Sequence, residues 1–427
     1  MKKVIALSAS AIAVASAFIL PNFVGSAYQS QHQETIALLG QNPAISVKDY
    51  EFKREWFSAT TKITFEIDTQ IPEQEPFQFI VNEDITFGPI HISSEGTHFS
   101  LAKSIASFDI PVIADEETVN VLNEHISLSS SLSWLGNHSS NIATQAYQTE
   151  IAGKQLDIQP SHGHFVLNGD ELEGDFTWQG MSLMGDSGHV KMAPVNMTFD
   201  QTLIAGDLYS GTALATGDFM MRFDEFSLLD NESGAQVDVA GVQISGHTSE
   251  DDNLLGVTLK YHADSIGSMG QQVTDANFDI AIRNLDIDTV MALNELNRTL
   301  PSDPNDPAFG QAMMQALPTA MKLLDYNPEI ILENISVMTD AGLVATDAKF
   351  SIDKQLFDPR NPMSIAAAAK VNAKGSAPES FFAQFGLAPM IDGYVNQGFI
   401  QRNDGELSFN LEMTNGQLNV NGKPLPL

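Results

Sequence analysis

Residues 62–68 read Lys62-Ile63-Thr64-Phe65-Glu66-Ile67-Asp68, an alternation without error. Successive side chains of a strand face opposite sides, so Ile63, Phe65 and Ile67 fall on one face and the charged residues and Thr64 on the other. The stretch predicts an antiparallel strand with one face on a core and one in water. Working outward, Phe77–Val81, Ile85–Ile92 and Thr97–Leu101 continue the pattern after Pro72 and Pro76. Further on, Phe165 and Leu167 precede Asn168-Gly169-Asp170, a hairpin signal, and Phe176 and Trp178 share the next face. Val237–Val239, Val242–Ile244, Leu255–Tyr261 and Phe278–Ile282 extend the series. Strand starts recur about every 10–15 residues, which predicts a large, curved antiparallel sheet of up-and-down strands.

The pattern changes at Asn284. Val290, Leu293 and Leu296 follow at helical spacing, with Asp288 as a candidate cap. A loop with prolines at 301, 304 and 307 precedes a Met- and Ala-rich helix from about Ala308 to Asp325. A further helix is expected over Pro378–Gln397, bent near Gly386 and Pro389, before two closing strands. The class is therefore α+β, mainly β, with a few helices packed on the sheet. Three regions follow: 1–27, an export signal or anchor; 28–283, β-rich; and 284–427, helix-containing α+β.

The N-terminus carries Lys2-Lys3 and then an uncharged run from Val4 to Leu20 that includes Leu7, Phe18 and Ile19. Two lysines before an apolar run are an export segment. Cleavage after Gly25-Ser26-Ala27 would release a soluble periplasmic protein. Retention would leave a signal anchor at the lower end of spanning length, with the lysines inside. Residues 26–40 read as a short helix beyond it, ended by Gly40 and Pro43. Across the 427 residues, 54 acidic side chains oppose 21 basic ones, a net charge of -33. That balance excludes nucleic acid as a partner and electrostatic docking on anionic lipid. There is no cysteine, hence no disulfide and no thiolate chemistry.

Three segments resemble the YdgA family of Gram-negative envelope proteins. The first is the Lys-Lys export segment with its short helix. The second is Tyr50 with Arg54-Glu55-Trp56-Phe57-Ser58, where the family has R-G-W-F-S-S, followed by Phe87-Gly88-Pro89-Ile90, similar to its H-G-P-L. The third is Asn415–Pro426. Glu55 and Phe87 depart from the family pattern. The resemblance implies a periplasmic protein held at the inner membrane, and it supplies no catalytic residues.

Five constellations are candidate sites. Gly185-Asp186-Ser187-Gly188 has the local order of a serine nucleophile, but His189 follows and no companion base segment precedes, so a polar turn fits better. His162 and His164 share a strand face, with Asp157 and Asp170 as conceivable neighbours, yet two imidazoles make only half a metal site. Asp286, Asp288, Asp303 and Asp306 gather oxygen ligands without an EF-hand order. Met313, Met314 and Met321 form a stripe suited to core packing or to an adaptable apolar surface. Trp56 and Phe57 beside Arg54 read as a core anchor or a ligand contact, and Trp178 is a second candidate contact. The expectation is a non-enzymatic envelope protein, without cofactor or metal. Its extended sheet would bind or scaffold a lipid-like or protein ligand in an apolar concavity lined by residues such as Phe176, Trp178, Val257 and Leu259. The alternatives are a periplasmic hydrolase or metal-dependent enzyme, and a homodimer joined through a strand edge.

Overall fold

The computed structural model describes residues 2–42, 45–67, 76–93, 96–109, 124–151, 153–268, 270–298, 307–358, 361 and 364–425. Side chains are described from residue 21 on, apart from 92–98, 151 and 307. Strands make up about 60% of the chain, so the protein is mainly β, with six helices among the described residues.

Helix α1 (Lys2–Leu39) leads into β1 (Ile45–Arg54), β2 (Ser58–Ile67), β3 (Phe77–Phe87), β4 (His91–Ser93), β5 (Gly96–His98) and β6 (Ala102–Asp109). Then come β7 (Ile126–Leu132), β8 (His138–Thr144), β9 (Tyr147–Ile151), β10 (Lys154–Ile158), β11 (Ser161–Asn168) and β12 (Glu171–Trp178). Next are β13 (Met181–Gly185), β14 (Gly188–Met192), β15 (Val195–Ala205), β16 (Leu214–Asp230), β17 (Gln236–Asp251), β18 (Leu254–Ser268) and β19 (Gln271–Asp286). Helices α2 (Ile287–Arg298) and α3 (Pro307–Lys322) precede β20 (Glu329–Thr339) and β21 (Gly342–Ile352). The chain closes through α4 (Ser364–Ala368), β22 (Ala369–Pro378), α5 (Glu379–Gln384), α6 (Ala388–Gln397), β23 (Gln401–Asn403), β24 (Glu406–Thr414), β25 (Gln417–Val420) and β26 (Lys423–Leu425). Twenty-four of the strands hydrogen-bond into one antiparallel sheet, and β4 with β5 makes a separate ribbon.

The chain divides into two compact units. Unit 1 comprises residues 1–147, 159–178 and 199–215, and unit 2 the remainder. In unit 1, β1, β2, β3, β6, β7, β8, β11 and β12 follow one another as antiparallel neighbours. The opening heptapeptide behaves as its alternation requires: Ile63 and Phe65 are buried and Lys62 is exposed. Its face is covered by α1. Val24, Tyr28, His32 and Ile36 recur every four residues and so share one side of that helix. Tyr28 and Val24 pack on Ala59, Ile85, Phe87 and Ala102. Ile36 and Leu39 pack on Ile63 and Phe65.

Helix α1 is longer than the segment 26–40 read from sequence. It is continuous from Lys2, and Pro21, which has no N–H to donate, lies inside it. The Ala27–Tyr28 bond therefore sits within a helix, with Tyr28 buried at 8% exposure. Among the residues whose side chains are described, which begin at Pro21, no helix is long and apolar enough to cross a membrane. The side chains of Val4, Leu7, Phe18, Ile19 and Leu20 lie outside them.

In unit 2 the long strands keep a common register. One row of paired residues runs Met221, Ile244, Tyr261, Phe278, Ile335, Thr346, Gly375 and Phe409 across eight strands. This face is apolar because each strand alternates. Helix α2 is capped by Asp286, not by Asp288: the Asp286 carboxylate accepts the Thr289 N–H at 2.9 Å and its hydroxyl at 2.6 Å. The helix expected over 378–397 is two helices, α5 and α6, parted at Gly386, whose φ of 70° is open to glycine at little cost.

Candidate functional site

The strongest site lies in unit 2, at one end of the apolar row. A cavity of about 270 Å3 opens there between strands β20, β21, β22 and β24 and the chain that returns over them. Ile335, Val337, Val344, Ala377, Leu407 and Phe409 form its floor and walls, with Phe382 of α5 and Ile400 among the lining. Gly375 keeps the floor low. A Cβ there would stand 2.7 Å from the Phe409 ring and 3.2 Å from the Ala345 carbonyl. Among the described lining residues the polar side chains are hydroxyls, those of Ser336, Thr346, Ser376 and Ser408. No titratable side chain is found among its described lining residues. It offers an apolar enclosure, which is worth about 0.8 kcal/mol for each methylene taken out of water. Another concavity in unit 2, with Glu333, Asp347, Lys374 and Asn410 in its lining, has the opposite character. There Lys374 and Asp347 stand 3.5 Å apart.

Unit 1 holds a second arrangement, between α1 and the sheet. Val81, Glu83, Ile85 and Phe87 share the inward parity of β3, so a carboxylate enters an otherwise apolar face. His32 of α1 meets it, Nε2 to Glu83 Oε2 at 2.9 Å. His32 Nδ1 lies 3.0 Å from the Tyr50 hydroxyl, and Thr61 donates to the same Glu83 oxygen at 2.8 Å. Burial pushes the Glu83 carboxyl up, but the hydrogen bonds from His32 and Thr61 and the His32 charge outweigh it, so the group is held below its ordinary value. Burial, then the Glu83 charge, raises the Tyr50 phenol to about 12, and burial also raises Tyr28. Beside the cluster is a cavity of about 280 Å3 whose lining includes Gln31, Ser104, Ser130, His138, Ser140 and Tyr209. Desolvation, reinforced by nearby His32, depresses the His138 imidazole. Both ring nitrogens of His32 are engaged by the protein itself, so it has no lone pair left to act on a substrate. The cluster fastens α1 to the sheet.

The residues singled out from sequence scatter. Ser187 sits in the β13–β14 turn, where its carbonyl accepts the Asn231 N–H at 2.9 Å. His189 Nε2 lies 3.4 Å from the Ser227 hydroxyl. His162 and His164 are on the exposed face of β11, and His164 pairs with Asn141 at 2.8 Å. Asp286 caps α2, and Asp303 and Asp306 lie outside the described residues. Among the described residues no three His, Cys, Asp or Glu side chains come together to hold a metal ion. Trp178 is half-buried and donates its indole N–H to the Gln159 carbonyl at 3.1 Å. Trp56 and Phe57 are exposed at the β1–β2 turn instead of anchoring the core, because the hairpin turns at these residues. On α3, Met313 and Met314 are exposed and Met321 is half-buried. Val257 and Leu259 lie on the apolar face of unit 2 but do not line its cavity, while Phe176 and Trp178 belong to unit 1.

Over residues 1–427 the chain matches a family described as a bacterial protein of unknown function, DUF945. No curated protein and no solved structure matches it.

Proposed function

The chain belongs to that bacterial family of unknown function, and from this premise we propose that it is a non-enzymatic envelope protein that holds an acyl-chain ligand in the cavity of unit 2. The observation that carries the reading is the composition of that cavity: aliphatic and aromatic walls, a few hydroxyls and, among the described lining residues, no ionisable side chain. Such a lining favours a hydrocarbon chain over a charged metabolite, and it gives an enzyme nothing with which to move a proton. Export and tethering at the inner membrane, facing the periplasm, belong to the same proposal. They are supported by Lys2-Lys3, by the 17 uncharged residues from Val4 to Leu20, and by the YdgA-like segments. Retention of the segment is supported by α1 itself, since cutting after Ala27 would strip Pro21, Val24 and Gly25 from a helix that packs on the sheet.

Native mass spectrometry of the full chain extracted from its own membrane reads the intact mass, the subunit number and any bound lipid. The expected result is an uncleaved chain carrying an acyl-chain compound, lost when Val337→Trp fills the cavity. In a series of 1-alkanols, affinity for the delipidated protein should rise about fourfold per added methylene, the equivalent of 0.8 kcal/mol. Affinity independent of chain length, or unchanged by Val337→Trp, would refute the acyl-chain reading.

A further inference from the structure

We infer that one end of the unit 1 sheet is a membrane-docking face, seated on the lipid surface from which α1 emerges; this rests on the tether proposed above. Antiparallel pairing brings four connections to the same end, and three of them carry exposed apolar side chains: the β1–β2 turn, the β3-to-β6 connection and the β7–β8 turn, with the β11–β12 turn as the fourth. Backbone bonds tie them together, from Phe87 N–H to the Phe57 carbonyl at 2.7 Å and from Leu101 N–H to the Leu132 carbonyl at 2.8 Å. Helix α1 reaches this end at Pro21–Gly25. Arg54 donates to the Asn22 carbonyl at 3.2 Å, and the Pro21 ring approaches Gly88. The apolar stretch Val4–Leu20 therefore continues the same helix directly beyond the sheet end.

The side chains exposed there are those a bilayer interface accepts. Phe23 is 69% exposed, Phe99 70% and Leu135 89%, and Trp56, Trp134 and Ile90 are each at least half exposed. Single exposed apolar residues need no explanation, but six large ones gathered at one end of a sheet do. Tryptophan and phenylalanine favour the headgroup boundary, where an apolar ring and a wet rim coexist. Formally charged side chains are few in these segments, histidine aside: Arg54 and Glu55 in residues 54–58 and Glu95 in 88–101, with none in 20–25 or 133–137. The 17 residues from Val4 to Leu20 span about 25 Å as a helix, close to the hydrocarbon core, so the sheet end arrives at the headgroups without a linker.

The chain has three tryptophans, two on this face and one, Trp178, away from it, which supplies the test. The full chain is reconstituted into phosphatidylcholine vesicles with and without brominated acyl chains. Three single-tryptophan variants are compared: W134F/W178F, W56F/W178F and W56F/W134F. Thermal melts matching the parent show that each folds. Brominated lipid is expected to quench Trp56 and Trp134 by at least about twofold and leave Trp178 unchanged. Failure to float with vesicles overturns the tether and the docking face together. Flotation with Trp56 and Trp134 unquenched overturns the docking face alone.

Discussion

His138 and Glu83 show how a few buried side chains tune unit 1. The His138 imidazole is depressed by burial, so the folded chain binds its proton less readily than the unfolded one. Its contribution is complete above the ordinary histidine value of about 6.5 and is lost as pH falls from there toward the depressed value. Glu83, also depressed, keeps its contribution until pH falls through the carboxylate range. His262 in unit 2 has the opposite sign. Hydrogen bonds to Asn277 and Asp264 raise it, so its contribution is present below about 6.5 and lost as pH rises through the raised value. Thermal melts at about pH 7.5 and 5.5 should therefore show His138→Gln losing less stability on acidification than the parent. An identical loss in both would show that His138 is not the group responsible. Only the parity was legible in the sequence: the pattern ends one strand at Val81 and resumes at Ile85, which leaves Glu83 outside both, although β3 runs through it. Glu83 stands at the inward parity of Val81, Ile85 and Phe87, a carboxylate on an apolar face. Its partner was not legible, since His32 reaches Glu83 across 51 positions and Tyr50 across 18.

Elements were more readable than the contacts between them. Alternation located the strand at 62–67, the hairpin about Gly169 and parts of β17, β18 and β19, because one-sided burial imposes a period of two, but it read β17 as two short strands and passed over β16. Termini were less so: α1 extends to Lys2 through a proline, and Gly386 divides the last helical region. Aromatic rings lie over glycines within the strands, a device that alternation does not reveal. Gly174 faces Phe165 in register, and a Cβ there would stand 2.5 Å from the Phe199 ring and 2.7 Å from Phe165. Those two rings stack with centroids 5.9 Å apart. The rings fill the space that a side chain would take and cover bare backbone. Gly174→Val should cost about 1–3 kcal/mol, read as a lower urea midpoint with an unchanged slope. A variant as stable as the parent would mean that the rings yield freely.

At the scale of the whole molecule, the surplus of 33 negative charges is a source of self-repulsion that salt screens. The screening length falls from about 30 Å at 0.01 M salt to about 8 Å at 0.15 M, so the melting temperature should rise over that range. A flat response would show that the charges are already spaced beyond mutual influence. The interleaving of the two units was invisible to a reading by neighbours, because it is set by which distant strands pair. That interleaving has a consequence for how the protein is made. The path leaves unit 1 at residue 148, returns at 159, leaves again at 179 and returns for 199–215. A nascent chain therefore cannot complete unit 1 until residue 215 has emerged, roughly 10–40 s after synthesis begins at about 5–20 residues per second. Tyr28 and Ile36, on the first helix made, meet their partners earlier, since the buried residues they pack on lie between Ala59 and Ala102. What must wait for residue 215 is the rest of unit 1, which is finished only by the two later returns of the chain, at 159–178 and 199–215.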